Sequence, residues 1–590
     1  MSKFLIIIFV FLINFNSVKS LELTLYVNNW LDEIPETYNV HTEEYIYLED
    51  KTSDTLSDLL NESSSFNAVR SGPKGSQTSL FTRGTNSNHT LVSINGSPIT
   101  DHSTSNGLAD LGVINTNFAS RLHLVDGPMG TLYGANAVGG VVDIQTQKNF
   151  SNKFSGILSD RGQKQVSLEN NFGDNKKYRF GISLEETEGI SVYPEGDEKD
   201  GYALNSLNLG YNGAYNNTQY EFLLIRNNQD VDLDASGADD LDYTGRTIFN
   251  FLQFNSNTNL STGKLNVIVD AHNWDREYKN GSEIDIYNSD NYHFKTVYLY
   301  NNNFINNVTG YDHAFYSADF TNRGSYNSSV DKSADQAGLF NNSDLKINEN
   351  LTLSGGYRLD NSSDFGIQET YRVGASYNID DFQLYNSYAS GYKNPTLYEM
   401  YGADSYGYSG NPDLKPEKSF NSEIGISYEN NISKLSLSVF DTSLKDMITY
   451  ANSTYSNDHS GSSSMQGFDL NATFNFGKYE FKNSYSNVHA VNSSNVWLKR
   501  RPHDALNSSI TYTNNDWSIK PEINYYGKHS DTHSSNYSTI LIKDRTICDL
   551  SIFYKDFLLE FQNIFNDKYE RPHGYNQGGI EIFLKYSKKY

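Results

Sequence analysis

The chain has 590 residues, a formal net charge of −25 and a single cysteine, Cys548. One cysteine excludes a disulfide framework and a cysteine-rich metal site, and the acidic excess without a lysine or arginine run argues against nucleic acid as a partner. The hydrophobic fraction of 37% is low, but an aromatic fraction of 14% is too high for a disordered chain. The composition therefore predicts a folded protein that does not bind nucleic acid.

The first twenty residues have the pattern of an export signal. A short basic start precedes an almost continuous apolar stretch, Phe4 to Phe15, and small residues stand before a cleavage position after Ser20. An N-terminal membrane anchor is the alternative. No later segment approaches 18 consecutive apolar residues, so a mature chain that spans a membrane must do so as a β-barrel. We predict a signal peptide over residues 1–20.

Residues 21–150 combine short helical and strand-like segments. Residues 53–63 predict a helix capped near Ser53 or Asp54, because leucines recur there on one face. Residues 80–96 predict a strand, a tight polar loop, a second strand and a turn. This mixture indicates a small α+β unit.

From about residue 151 the sequence becomes uniform. Segments of about ten residues alternate apolar and polar side chains, and Leu435, Leu437 and Val439 share one face in such a segment. Loops rich in Asn, Ser, Gly and Asp separate the segments. The pattern is typical of strands with one face toward lipid and one toward a polar lumen. A soluble β-sandwich or β-helix is the alternative.

The length of this region sets the size of the barrel. Residues 151–590, at roughly 20 residues per strand and connection, correspond to about 22 strands, and a lumen of that size must be plugged. Residues 580–590 alternate toward a final aromatic residue, Tyr590. The predicted fold class is all-β: a large antiparallel transmembrane β-barrel, with residues 31–150 as an α+β plug domain inside its lumen.

Six segments in the two regions carry a family pattern. They are residues 56–60, 82–96, 125–146, 387–402, 410–419 and 562–570. Together they resemble the TonB-dependent outer-membrane transporters along essentially the whole mature chain. Within that family the resemblance is closest to the cobalamin transporters, because of the short plug, the segment 83–92 followed by 105–111, and the overall length.

The resemblance implies active transport of a scarce, large ligand across the bacterial outer membrane, by a monomer embedded in lipid. Cobalamin or another corrinoid is the first ligand implied, and a ferric siderophore or haem is the second. A passive porin or an adhesin is the alternative from a different class. The apical plug loops are expected to face the ligand, and the expected ligand-binding residues are Lys74, Gln77, Asn86, Asp101, His102, Ser103 and Asn106.

Coupling and plug residues follow from the same resemblance. In this family an extended segment near the mature N-terminus pairs with the periplasmic protein TonB by strand addition. Residues 21–30 are extended in pattern and are the predicted coupling segment, and Arg83 and Gly84 are expected in the plug core. The expected pairing residues are Leu23, Thr24, Leu25, Tyr26 and Val27.

Two acidic stretches, residues 194–202 and 230–243, are predicted to form neighbouring outer loops. Dense carboxylates repel unless a hard cation lies among them, and Ca²⁺ takes six to eight oxygen ligands. The cobalamin transporters order neighbouring outer loops with calcium, so the resemblance implies Ca²⁺ here, and a solvated acidic loop is the alternative. The expected calcium ligands are Asp197, Asp200, Asp230, Asp232, Asp234 and Asp240.

Enzyme activity is not expected. The sequence contains no Gly-x-Ser-x-Gly, no His-Glu-x-x-His and no phosphate-binding loop. No catalytic cofactor is expected either.

Overall fold

The computed structural model describes residues 43–48, 55–72, 74–148, 152–173, 177–234, 238–322, 329–402 and 408–590. The predicted signal peptide (1–20) and coupling segment (21–30) lie outside the described residues. In the part of the chain that is described, no helix combines the length and the apolar character that crossing a membrane requires.

The plug occupies the first described part of the chain. Its strands and helices are β1 (Glu43–Tyr47), α1 (Leu56–Leu60), β2 (Phe66–Arg70), β3 (Thr78–Thr82), β4 (Thr90–Ile94), β5 (Ser97–Pro98), β6 (Ala119–Asp126), α2 (Gly130–Tyr133) and β7 (Gly140–Thr146). Five strands form one sheet in the order β1-β6-β7-β4-β5, and β2 pairs with β3 separately. Within the sheet β4 and β7 run parallel. The predicted α+β character of this region is confirmed.

The predicted strand, loop and strand of residues 80–96 are present, but helix α1 starts later than predicted. Thr55 is the N-cap: its hydroxyl accepts from the Asp58 backbone N–H, and the Asp58 carboxylate accepts from the Thr55 backbone N–H. This reciprocal arrangement satisfies two amides at the helix start. The prediction of a cap at Ser53 or Asp54 was therefore wrong by one or two residues.

The rest of the described chain is a closed barrel of 22 strands, in which every neighbouring pair is antiparallel. Its strands are β8 (Lys153–Ser159), β9 (Lys164–Phe172), β10 (Tyr178–Ile190), β11 (Asp200–Tyr215), β12 (Thr218–Asp232), β13 (Tyr243–Asn259), β14 (Lys264–Asn280), β15 (Glu283–Asn301), β16 (Ile305–Asn322), β17 (Ser329–Lys346), β18 (Leu351–Ser362), β19 (Gly366–Ile379), β20 (Phe382–Lys393), β21 (Glu417–Glu429), β22 (Ser433–Lys445), β25 (Ser462–Phe476), β26 (Tyr479–Val491), β27 (Asp504–Asn514), β28 (Trp517–Tyr526), β31 (Arg545–Tyr554), β32 (Phe557–Gln562) and β33 (Glu581–Lys589). The pairing of β33 with β8 closes the ring. The predicted fold class and strand number are confirmed.

The two ends of the barrel differ in their connections. Two residues join β11 to β12 at one end, whereas residues 394–416 join β20 to β21 at the other. Outer-membrane barrels have short periplasmic turns and longer extracellular loops, so the long connections mark the outer face. The outer loops also contain helix α3 (Leu397–Tyr401) and two hairpins, β23 (Ile448–Ala451) with β24 (Thr454–Asn457) and β29 (His529–Thr532) with β30 (Thr539–Ile542).

Alternation along the strands separates a lipid face from a lumen face. On β22, Leu437 and Val439 are exposed while Ser438 and Phe440 are buried. The plug sheet packs on the lumen side against aromatic side chains of β13 and β14, chief among them the fully buried Trp274. The plug is therefore seated in the barrel by apolar contacts as well as by polar ones.

Candidate functional site

Arg83 joins the plug to the barrel. It follows β3 with a φ of 47°. Its Nε lies 2.7 Å from a carboxylate oxygen of Asp469, and its Nη1 lies 2.7 Å from one of Glu423. A third carboxylate, Asp126 of the plug, lies 3.7 Å from Nη2, and the ring of Phe440 covers the guanidinium at 4.4 Å. Arg83 thus lies at the seam between plug and barrel, with its charge surrounded by acids.

Gly84 lies on the same seam. Its φ is +78°, and a Cβ there would come within 2.7 Å of the Val488 side chain and 2.9 Å of Ala490 on β26. Only glycine adopts this conformation without strain and leaves room for the barrel wall. The Arg-Gly pair therefore serves the close approach of plug and barrel.

The plug apex, residues 99–107, faces the outer lumen and is held by the wall. Asp101 is fully buried: its Oδ1 accepts from the Ser103 hydroxyl at 2.6 Å, and its Oδ2 lies 3.0 Å from Nε of Arg276 on β14. Arg276 also donates to the Ser103 hydroxyl at 2.9 Å. Asp101 and Ser103 are thus engaged in holding the loop to the wall.

Two other apex residues have side chains that are less engaged in hydrogen bonds with the protein. The ring of His102 stacks on Tyr316 with centroids 3.9 Å apart, and burial lowers the pKa of His102 to about 3, so the imidazole is neutral. The side-chain oxygen of Asn106 is buried and accepts no hydrogen bond from the described residues. These two side chains are therefore the apex groups best able to contact a ligand.

The remaining predicted ligand residues lie apart from this loop. Lys74 forms an ion pair with Glu185 on β10, and Gln77 is exposed at the end of the same plug loop. Asn86 lies beside the opposite wall, where its side-chain oxygen accepts from Arg501 at 2.6 Å. The structure therefore distributes the predicted residues over three places, and their contact with a ligand remains a prediction.

A group of tyrosines above the apex was missed by the sequence reasoning. The tyrosine cluster, Tyr398, Tyr408, Tyr450 and Tyr455, comes from helix α3, the segment after it and the β23–β24 hairpin. Tyr398 and Tyr408 stack at 5.0 Å, and Tyr455 meets the Tyr408 ring edge-on at 5.8 Å. Tyr408 is 5% exposed and Tyr450 is 56% exposed, so the cluster has a buried base and an open rim.

The tyrosine cluster stands next to the plug apex. The hydroxyl of Thr396, at the start of α3, donates to the Ser105 carbonyl at 3.2 Å. Burial raises the pKa of Tyr408 and Tyr455, so both remain neutral phenols. Together His102, Asn106 and the tyrosine cluster present aromatic faces and neutral polar groups. Tyrosine abundance was a signal in the sequence, but its spacing did not show which tyrosines would meet.

The acidic outer loops bring three carboxylates together. Oxygens of Glu198, Asp234 and Asp239 lie within 4.8 Å of one another. Of these only Asp234 is among the ligands expected from the sequence. Backbone amides of Asp197 and Glu198 donate to Asp239 at 2.9 and 3.2 Å. Burial and the neighbouring aspartates raise the pKa of Glu198.

The other expected calcium ligands lie around this group or away from it. Asp200 is fully buried, and one of its oxygens has no hydrogen-bond partner in the described residues. Asp232 accepts from Gly201 at 3.0 Å, and Asp240 accepts from Asn280 at 2.7 Å. Asp230 points out of the barrel wall toward Arg246 at 3.8 Å, and the exposed Asp197 contributes its backbone amide to Asp239.

The chain matches two family descriptions. Residues 31–141 match the "TonB-dependent Receptor Plug Domain", and residues 131–566 match "TonB dependent receptor-like, beta-barrel". Among curated proteins, the "Vitamin B12 transporter BtuB" of Vibrio cholerae serotype O1 is 25% identical over 561 residues, or 90% of this chain and 88% of that protein.

Solved structures with the same fold bind different cargoes by name. The siderophore receptor PirA from Acinetobacter baumannii aligns with a TM-score of 0.78 and 16% identity over 92% of this chain and 98% of that one. A mutant of the ferric enterobactin receptor PfeA from Pseudomonas aeruginosa gives 0.78 and 15% over 94% and 99%. The copper transporter OprC gives 0.78 and 14% over 90% and 95%. At these identities the likeness concerns the fold alone.

The two matched regions agree with the observed fold, a closed barrel with a plug inside it. Proteins of this kind are outer-membrane receptors and transporters that work with TonB, rather than enzymes. The chain belongs to the TonB-dependent receptor family and carries out TonB-dependent transport across the outer membrane.

Proposed function

We propose that the ligand transported by this chain is cobalamin or another corrinoid. The observation that carries the proposal is the tyrosine cluster next to the plug apex. Aromatic faces pack on a broad, conjugated macrocycle, and tyrosine hydroxyls and the Asn106 amide suit the amide groups at its rim. The relative that is 25% identical over most of both chains is named as a vitamin B12 transporter, which supports the same ligand.

The charges in and around the apical plug loops favour this ligand over a strongly anionic one. Lys74 is paired with Glu185, and Arg276 is paired with Asp101. A cation that is already paired gains less from a second anion, because its charge is largely compensated. A ferric siderophore or haem is the second candidate, and buried guanidinium nitrogens of Arg70 and Arg545 without a hydrogen-bond partner among the described residues are the observation in its favour.

We propose that calcium binds at the acidic outer loops. The donors are carboxylate oxygens, which a hard cation prefers, and buried oxygens of Glu198 and Asp200 accept no hydrogen bond from the described residues. Glu198, Asp234 and Asp239 would hold the ion, with Asp200 beside them. Calcium would remove the mutual repulsion of these groups and order the loops next to the binding wall.

Energy coupling is proposed to use the predicted segment 21–30. Leu23, Thr24, Leu25, Tyr26 and Val27 would add as a strand to TonB in the periplasm, and force on this segment would loosen the plug. A passive pore would not need such a segment. Deleting residues 21–30 should abolish uptake and leave ligand binding unchanged, whereas unchanged uptake would favour the passive class.

The first experiment is binding of cyanocobalamin to the purified full chain in detergent, with calcium and then with chelator. We expect submicromolar binding that weakens at least tenfold when calcium is removed. Tyr408→Ala should weaken binding, and Tyr537→Ala, an exposed tyrosine of the β29–β30 hairpin, is the matched control. Binding unaffected by chelator would reject calcium, and no binding in either condition would reject the corrinoid.

A further inference from the structure

A cavity of about 950 Å³ lies between the plug and part of the barrel wall formed by strands β25 to β33. Its plug side includes Arg70 and Lys74, and its barrel side includes Lys520 and Tyr526. The outer loop between β32 and β33 contributes Tyr569 and Arg571 to its lining, among other residues. The cavity therefore runs beside the plug, and none of the four tyrosines of the tyrosine cluster lines it.

Three arginines from distant parts of the chain stand at this cavity or beside it, and two of them share one tyrosine ring. The guanidinium of Arg571 lies 4.4 Å from the ring centroid of Tyr526, and that of Arg545 lies 5.1 Å from the same ring and 4.4 Å from Tyr569. Arg70 ends β2 of the plug and lines the same cavity as Tyr569 and Arg571. We call Arg70, Arg545 and Arg571 the arginine triad.

The triad differs from the other cations that line the cavity. Arg161 is paired with Glu581 at 3.4 Å, and Lys482 with Glu44 at 2.9 Å. The remaining lining lysines are also paired with carboxylates, namely Lys74, Lys520 and Lys555. Within the described residues no carboxylate oxygen lies within 4.0 Å of a guanidinium nitrogen of the triad.

Hydrogen-bond donors of the triad are also left over. Nε of Arg70 and both Nε and Nη2 of Arg545 are buried without a hydrogen-bond partner among the described residues. Arg571 donates through Nη2 to the Asn67 side-chain oxygen, which is neutral. Buried cationic donors without an acceptor destabilise a protein, so their retention calls for an anion that is absent from the polypeptide.

We propose that the arginine triad is an oxyanion site that takes a phosphate or carboxylate group of the transported ligand as it passes beside the plug. Guanidinium groups bind both oxygens of such a group at once, and the tyrosine faces keep them in place. Arg70 and Arg571 line the cavity and would contact the oxyanion, and Arg545 supports them from behind the two rings. The assignment of the anion to the cargo rests on the proposed function; the site itself does not.

The direct test uses pyrophosphate as the probe, with calorimetry on the full chain in detergent. We expect Arg70→Gln and Arg571→Gln each to weaken binding about tenfold, and the double variant to remove it. Arg161→Gln, in the same cavity but paired with Glu581, is the matched control and should bind as the wild type does. Arg70→Lys and Arg571→Lys should retain part of the affinity, and heat-modifiable migration in gels checks that every variant is folded. Equal binding by wild type and double variant, or none by the wild type, would overturn the site.

A second arm separates cargo from free phosphate. Cyanocobalamin contains a phosphodiester, and cobinamide is the same macrocycle without the nucleotide that carries it. We expect the wild type to prefer cyanocobalamin and Arg571→Gln to lose that preference. An equal loss for both corrinoids would overturn the assignment to the cargo and leave an inorganic phosphate site. If neither corrinoid binds while pyrophosphate binding depends on the triad, the proposed ligand fails and the oxyanion site stands.

Discussion

Arg83 and the arginine triad both lie between plug and barrel, and they differ in what balances their charge. Arg83 has three carboxylates within 4 Å, two from the barrel and one from the plug. The arginine triad has aromatic rings and an asparagine around it instead. The first group is complete within the polypeptide, and the second is not.

This difference separates a structural contact from a binding site. A buried charge that is fully paired resists removal of either partner, because the other would be left uncompensated. A buried charge without a partner costs stability and gains it back only when a ligand arrives. The acidic outer loops show the same imbalance with negative charge. Glu198, Asp234 and Asp239 have no compensating cation among the described residues of the polypeptide.

The largest effect is expected from Arg83→Ala. It would leave Glu423, Asp469 and Asp126 buried without their shared cation, which should cost about 3–5 kcal/mol of unfolding free energy. Calorimetry in detergent would show a lower melting temperature, and planar bilayers would show larger passive conductance because the plug is held less firmly.

Arg571→Gln is the matched comparison for that variant. Removing the Arg571 guanidinium relieves repulsion within the triad and leaves no carboxylate unpaired. The unfolding free energy should therefore change by less than about 1 kcal/mol. A loss as large as that of Arg83→Ala would mean that the two groups are alike and would end the distinction drawn between them.

Much of the fold follows from local sequence rules. Alternation over strands such as β22 separates lipid and lumen faces residue by residue, and chain length fixes the strand number. Capping was predicted less well, because Ser53, Asp54 and Thr55 are all competent caps. Only the reciprocal bond with Asp58 distinguishes Thr55 from its neighbours.

The sites depend on contacts that local rules do not contain. Asp230 was expected to bind calcium, but β12 continues through it and its side chain points outward. Glu198 and Asp239 meet because two outer loops fold over each other. The triad joins residues 70, 545 and 571 only through the closure of the barrel around the plug, so its members look isolated along the chain.

The second prediction concerns the acidic loops. Asp239→Asn should weaken calcium binding at least tenfold, because one of three converging carboxylates loses its charge. Asp230→Asn removes an equal charge from the outer wall and should leave calcium affinity unchanged. Titration calorimetry with calcium measures both, and equal losses would indicate general electrostatic attraction by the loops rather than a defined site.

The third prediction concerns a variant that gives the arginine triad a carboxylate partner within the protein. Asn67→Asp places a carboxylate where Arg571 now donates to an amide oxygen. Pyrophosphate affinity should fall about tenfold, because one guanidinium is then occupied from within. The amide of Asn67 also donates to the Arg500 carbonyl at 2.9 Å, and the loss of that bond should keep the gain in stability below about 1 kcal/mol. Undiminished pyrophosphate binding by this variant would place the anion elsewhere in the cavity.

An effect that builds up over several pH units is expected from acid in the Arg83 group, where one guanidinium faces three carboxylates. Burial raises the pKa of Asp126 to about 7, with the charge of Arg83 acting in the opposite direction. The folded protein therefore holds a proton between pH 4 and 7 that the unfolded chain releases, so this residue stabilises the fold as the pH falls from 8 to 5. The slope is at most about 1.4 kcal/mol per pH unit.

Asp126→Asn removes that proton exchange and keeps the shape of the side chain. The difference in melting temperature between wild type and variant should therefore change across this pH range, in favour of the wild type at acid pH. Asp230→Asn serves again as the control, because its carboxylate is exposed on the outer wall. Parallel curves for wild type and Asp126→Asn would mean that Arg83 holds all three carboxylates ionised. The guanidinium alone, without a bound proton, would then balance the negative charge at the seam.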